Sequence, residues 1–152
     1  MSRRNGRILA FQALYSWDVS KSSIDDILSF SWLHKDEEII SGEEVTEISE
    51  VAKEEQTFAS LIISGTIDHV DEIDNIIVPK LSASWSLDRI NKVALAILRT
   101  GTYEICYQKG IDSKIVIDEA VNIAREFGPD DSYKFINAVL DKIAKDEEAK
   151  NS

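Results

Sequence analysis

Arg3, Arg4 and Arg7 open the chain, and no acidic residue appears before Asp18. A guanidinium group presents a planar fork of donors that grips phosphate oxygens bidentately. At helical spacing the three arginines share one surface, and Gln12 and Tyr15 follow with an amide that can bond to unpaired bases and a ring that can stack on them. Residues of these types in this order suit single-stranded RNA. A frayed basic terminus is the competing explanation.

Other chemistry is thinly supplied. The one cysteine, Cys106, cannot form an internal disulfide, and with only His34 and His69 as imidazoles the chain lacks a zinc ligand cluster. Neither histidine has a serine or cysteine partner at a catalytic spacing. Cys106 lies between Ile105 and Tyr107, a setting that raises a thiol pKa, so it is read as packing. The pairs Asp25-Asp26, Glu54-Glu55 and Asp130-Asp131 are neighbours whose side chains diverge by about 100° on a helix, which suits caps and solvated faces better than acid/base work. Glycines at 6, 42, 65, 101, 110 and 128 are too scattered for a dinucleotide or phosphate loop. No cofactor, metal or catalytic constellation is expected.

The formal charge is −11, which opposes a generally basic nucleic-acid binder and requires any RNA site to be local. No apolar run approaches the roughly 20 residues that span a bilayer. Gln12, Ser16 and Asp18 interrupt the first apolar segment, unlike the core of a signal peptide. A cytoplasmic protein of one domain over residues 1–152 is expected, with a short polar C-terminal tail.

The elements that must position the arginines are helical. Ile8, Phe11, Leu14 and Tyr15 predict a first helix from Asn5 to Trp17. Ser23 predicts a cap for a second over Ile24 to Leu33. Residues 36–55 hold nine acidic side chains against Lys53 alone, which reads as a solvated acidic loop running into a helix. A stripe from Phe58 through Leu61, Ile62, Gly65, Val70, Ile73 and Ile77 predicts a helix that Pro79 stops. Ser86 is the expected cap of a central core helix along Leu87, Ile90, Ala94, Ile97, Leu98, Gly101 and Ile105. Ile117, Ala120, Val121 and Ala124 mark another, ending where Gly128 can turn left-handed before Pro129. Asp130, Asp131 and Ser132 offer caps for a last helix bearing Ile136, Val139, Leu140 and Ile143. Trp17, Trp32 and Trp85 sit near helix ends and are read as packing. The fold class is all-α, a compact bundle of about six to seven helices.

Three stretches carry a family resemblance. Residues 3–17, Arg-Arg-Asn-Gly-Arg-Ile-Leu-Ala-Phe-Gln-Ala-Leu-Tyr-Ser-Trp, resemble the opening signature of the NusB family of transcription antitermination factors. Ile-Leu-Arg-Thr-Gly-Thr-Tyr-Glu-Ile at 97–105 resembles its Leu-Arg-x-x-x-Tyr-Glu motif, and Ile117-Asp-Glu-Ala-Val with Phe127-Gly-Pro-Asp-Asp-Ser-Tyr-Lys-Phe-Ile-Asn resembles its C-terminal signature. The motifs occur in the family's order and cover nearly the whole chain apart from the acidic segment at 36–55, which is longer than in compact members. Asn5 and Gly6 depart from the denser arginine and alanine run common at the entry.

The resemblance implies two packed helical subdomains, binding to boxA RNA, and partnership with NusE, a small-subunit ribosomal protein, in the elongation complex with other Nus factors. Carried over by motif, the RNA surface comprises Arg3, Arg4, Arg7, Gln12, Tyr15, Lys134 and Phe135, with Asp131 at a position that modulates affinity. Phe135 serves either as a stacking ring or as core. Two alternatives stand beside this reading: a helical protein-interaction adaptor without RNA binding, suggested by the acidic charge, and an RNA-recognition unit allied to an RNA methyltransferase, for which a further cofactor fold would be needed.

Overall fold

The computed structural model describes residues 3–30 and 44–150. Among the described residues the chain forms seven α-helices and no strand, and it divides into two compact units, Met1–Ser64 and Gly65–Ser152.

In the first unit α1 covers Arg3–Val19 and α2 covers Ile24–Ser29, and the two pack together. The buried face of α1 is Ala10, Phe11, Ala13 and Leu14, all at most 4% exposed. Tyr15, placed on the apolar stripe by periodicity alone, is exposed instead. Small residues on this face let a neighbouring helix come close. Gly6 is the tightest point: a Cβ there would lie 2.5 Å from Phe58 Cδ1 and 3.3 Å from the Glu55 carbonyl oxygen.

At α2, Ser23 is extended and its Oγ accepts the Asp26 amide at 3.1 Å, the predicted cap. Asp25 and Asp26 then sit favourably on the positive end of the helix dipole. The helix stops four residues before the expected Leu33. Phe30 takes a left-handed φ of 54° and buries its ring, which turns the backbone out of the helix. Residues 31–33, with Trp32, and His34 lie outside the described residues.

Helix α3 runs from Glu44 to Asp68. The acidic segment, expected as a loop running into a helix, is helical from Glu44 onward, and residues 36–43 lie outside the described residues. Glutamate is a good helix former, and Val45, Ile48 and Ala52 continue the three- and four-residue spacing that Phe58 and Ile62 take up. Charge density concealed the period.

The stripe through residue 77 breaks once, at His69 (φ −112°), dividing α3 from α4, Val70–Ile77. A 3-10 turn containing Pro79 then closes α4 where proline was expected to stop it. Helix α5, Lys92–Tyr107, starts later than Ser86. Ser86 makes no side-chain cap, a 3-10 turn occupies Leu87–Arg89, and Asn91 Oδ1 accepts the amides of Val93 and Ala94 at 2.9 and 3.2 Å.

Residues Ala94 to Leu98 are at most 3% exposed on every side of α5, as expected of a helix enclosed by others. Its neighbours are α4, α6 (Ser113–Phe127) and α7 (Ser132–Lys150). Each fully buried leucine or isoleucine here contributes about 1.5–3 kcal/mol. Arg99 adds an ion pair to the apolar packing: its Nε and Nη2 donate to the two Asp74 oxygens, both at 2.9 Å, tying α5 to α4. Lys80 pairs with Asp146 of α7.

Asp112 caps α6 through the Lys114 amide at 2.9 Å. At the far end Gly128 is extended (φ −86°, ψ 167°), not left-handed. It is needed for space, since a Cβ would meet Ser132 Oγ at 2.5 Å and the Ala124 carbonyl at 2.8 Å. The left-handed residue is Asp131, φ 67°, one position before α7.

Candidate nucleic-acid interface

The α1 entry separates the three arginines into two environments. Arg3 and Arg4 are exposed, whereas Arg7 is 8% exposed. Phe58 of α3 explains the difference: the Arg3 and Arg7 guanidinium carbons stand 5.2 and 5.5 Å from its ring centroid. Arginine over an aromatic face gains about 0.5–2 kcal/mol, more as water is excluded. Asn5 Nδ2 donates to Glu55 Oε1 at 3.4 Å, a second link between the same two helices. Gln12 is half-buried and Tyr15 is 37% exposed. The entry thus presents two accessible guanidinium groups and one accessible ring, held on α1 by a third arginine that packs.

The start of α7, in the other unit, offers a different arrangement. Lys134 and Asp131 are both exposed, and Lys134 Nζ lies 3.7 Å from Asp131 Oδ1. The ammonium is also 5.9 Å from the Tyr133 ring centroid, and Arg125 stands 4.6 Å from that same centroid. Phe135 is half-buried, with its ring 5.9 Å from that of Trp85. Sequence reasoning missed Phe58, Arg125, Tyr133 and Trp85; Phe58 and Trp85 matter through neighbours distant in the chain, and Arg125 meets Tyr133 across the turn between two helices, neither of which periodicity reports.

The motif at 97–105 proves to be internal scaffolding. Arg99 holds Asp74, Glu104 is 2% exposed, and the Tyr103 ring stacks on Tyr107 at 5.7 Å. Tyr107 stacks in turn on His69 at 4.4 Å and donates to Glu72 Oε2 at 2.6 Å; His69 Nδ1 lies 3.2 Å from that oxygen. The Tyr107 hydrogen bond, followed by that of His69, holds Glu72 below the usual carboxylate range. Burial and the bond to Glu72 push Tyr107 up to about 12. Burial raises the Cys106 thiol to about 11, which fits a packing role. Among the described residues no group of three or more His, Cys, Asp or Glu side chains is placed to hold a metal. No described helix is long and apolar enough to cross a membrane.

The NusB family model matches residues 4–145. The chain belongs to the NusB family. Among its relatives, the transcription antitermination protein NusB of Treponema denticola is 46% identical, across 94% of this chain and 96% of that protein. The fold agrees with solved NusB structures. NusB of T. maritima superposes with a TM-score of 0.78 at 32% identity, covering 99% of this chain and 96% of that one. NusB from a structure of the antitermination factors NusB and NusE in complex with double-stranded RNA gives 0.74 at 25% identity, over 95% and 96%. The all-α, NusB-like fold expected from the sequence is the fold observed among the described residues.

Proposed function

We propose that this chain acts in transcription antitermination, binding boxA-type single-stranded RNA jointly with NusE in the cytoplasmic elongation complex and carrying out no catalysis. The observation that carries the reading is the match to NusB along nearly the full chain, in a family whose solved members include one bound to NusE and RNA. Exposed Arg3, Arg4 and Tyr15 on one helix, and exposed Lys134 on another, supply the local positive charge and the ring that an otherwise acidic chain needs to hold RNA. Arg7, Gln12 and Phe135 support them from partly or fully buried positions. Asp131 moderates Lys134.

With so small a basic surface, the partner is expected to complete the RNA platform. Titrating a boxA-like RNA with the chain alone and with its NusE homologue tests this. The complex should bind more tightly at physiological salt; equal affinity with and without NusE would remove the joint platform from the reading, and no RNA binding in either case would favour the adaptor alternative.

A further inference from the structure

Trp85 is 48% exposed, and the NusB motifs give it no role. Its other side is occupied: the indole meets Phe135 of α7 with centroids 5.9 Å apart and planes tilted by 34°. The loop beneath it is braced. The Trp85 amide donates to the Ser82 carbonyl at 2.9 Å, and the Arg89 amide to that of Ser86 at 3.0 Å. Arg89 Nη1 donates to the Ser84 carbonyl at 3.2 Å, fixing the residue just before the tryptophan. An indole held out on such a support has surrendered its freedom before any ligand arrives, which is what makes an aromatic effective in binding.

Lys134, the neighbour of Phe135 in sequence, keeps 68% of its side chain exposed, and its contact with Asp131 at 3.7 Å is long for a charged pair. A phosphate oxygen can compete for that ammonium. An exposed ring backed on one face suits stacking of one unpaired base, and the open ammonium of Lys134 on the same helix as Phe135 is a cation that RNA phosphate can reach. The same pair of rings is far too small to seat a folded protein, which needs about 800 Å² on each side.

We infer that Trp85 is a base-stacking residue: its exposed face takes one unpaired base of single-stranded RNA, and Phe135 backs the indole as a positioning residue. The inference rests on the RNA-binding reading above and adds to it a residue outside the family motifs.

The test titrates a short boxA-like RNA into the full chain with its NusE homologue, comparing wild type, Trp85→Ala and Trp85→Phe. Trp85→Ala should weaken binding about ten-fold with the salt slope unchanged, and Trp85→Phe should stay within about three-fold, because a smaller ring still stacks. RNA should quench the tryptophan fluorescence of the wild type, and most of that quench should vanish in Trp85→Phe, a readout independent of whether the alanine variant folds. Wild-type affinity in Trp85→Ala, or an undiminished quench in Trp85→Phe, would overturn the inference and leave the RNA reading standing. Loss of NusE affinity in the absence of RNA would assign the ring to the protein partner and overturn it too. Failure of the wild type to bind RNA would overturn both.

Discussion

The entries of α1 and α7 both carry positive charge, yet they make it available in different ways. At α1 the charge is dense in sequence, but the packing of α1 on α3 takes part of it: Arg7 is buried and Arg3 leans over Phe58. At α7 the charge is sparse, and Lys134 stands in the open with a carboxylate as its check. Helical spacing locates a cation, but only its neighbours decide whether a phosphate can reach it.

The largest effect should come from the packing that this comparison places under α1. Gly6→Val fills the space next to Phe58 Cδ1 and the Glu55 carbonyl, and it should destabilise the protein by about 1–3 kcal/mol. Urea unfolding measures this; an unchanged midpoint would mean that α1 does not depend on close approach to α3.

Arg7→Ala sharpens the comparison next. Loss of the guanidinium over Phe58 and of its buried stem should cost about 1–2 kcal/mol of stability. Any loss of RNA affinity should then follow the loss of folded protein. Were Arg7→Ala fully stable and weak in RNA binding, Arg7 would join the exposed pair.

Replacing Arg3 and Arg4 with alanine should do the reverse. Stability should change by less than about 0.5 kcal/mol for Arg4 and by about 0.5–1 kcal/mol for Arg3, which lies over Phe58, while the slope of log affinity against log salt becomes shallower by about 1.4, from roughly 0.7 per contact. An unaltered slope would identify the N-terminal charge as a bystander.

The smallest effect belongs to α7. Asp131→Asn removes the carboxylate 3.7 Å from Lys134 while keeping a residue that tolerates the left-handed backbone. An exposed pair of this kind is worth about 0.2–1 kcal/mol, so RNA affinity should rise by up to about five-fold. A fall in affinity would mean that Asp131 holds Lys134 in place and does not compete with RNA for it.

Much of the fold was legible because its signals are local. Ser23 capped α2, Pro79 ended the α4 stripe, and Ile117, Ala120 and Ala124 marked the buried face of α6. The failures were of two kinds. Ser86 and Asn91 are both good cap residues ahead of one continuous apolar stripe, and only the 3-10 turn between them decides for Asn91. The acidic run hid the helical period of Val45, Ile48 and Ala52.

The candidate site was legible by residue type and less so by exposure. Arg3 and Arg4 are exposed as their composition suggests, but the burial of Arg7 depends on Phe58, and the setting of Phe135 on Trp85. Both contacts join segments far apart in sequence, and neither leaves a periodic trace.

Asp131 also limits how this site can vary over generations. With φ at 67°, its backbone is comfortable for aspartate, asparagine or glycine and strained for most other residues. Those three side chains amount to a negative charge, a neutral amide and nothing. An aspartate codon reaches asparagine or glycine by a single base change, so a lineage can reset the grip of Lys134 in one mutational step without rebuilding the start of the helix.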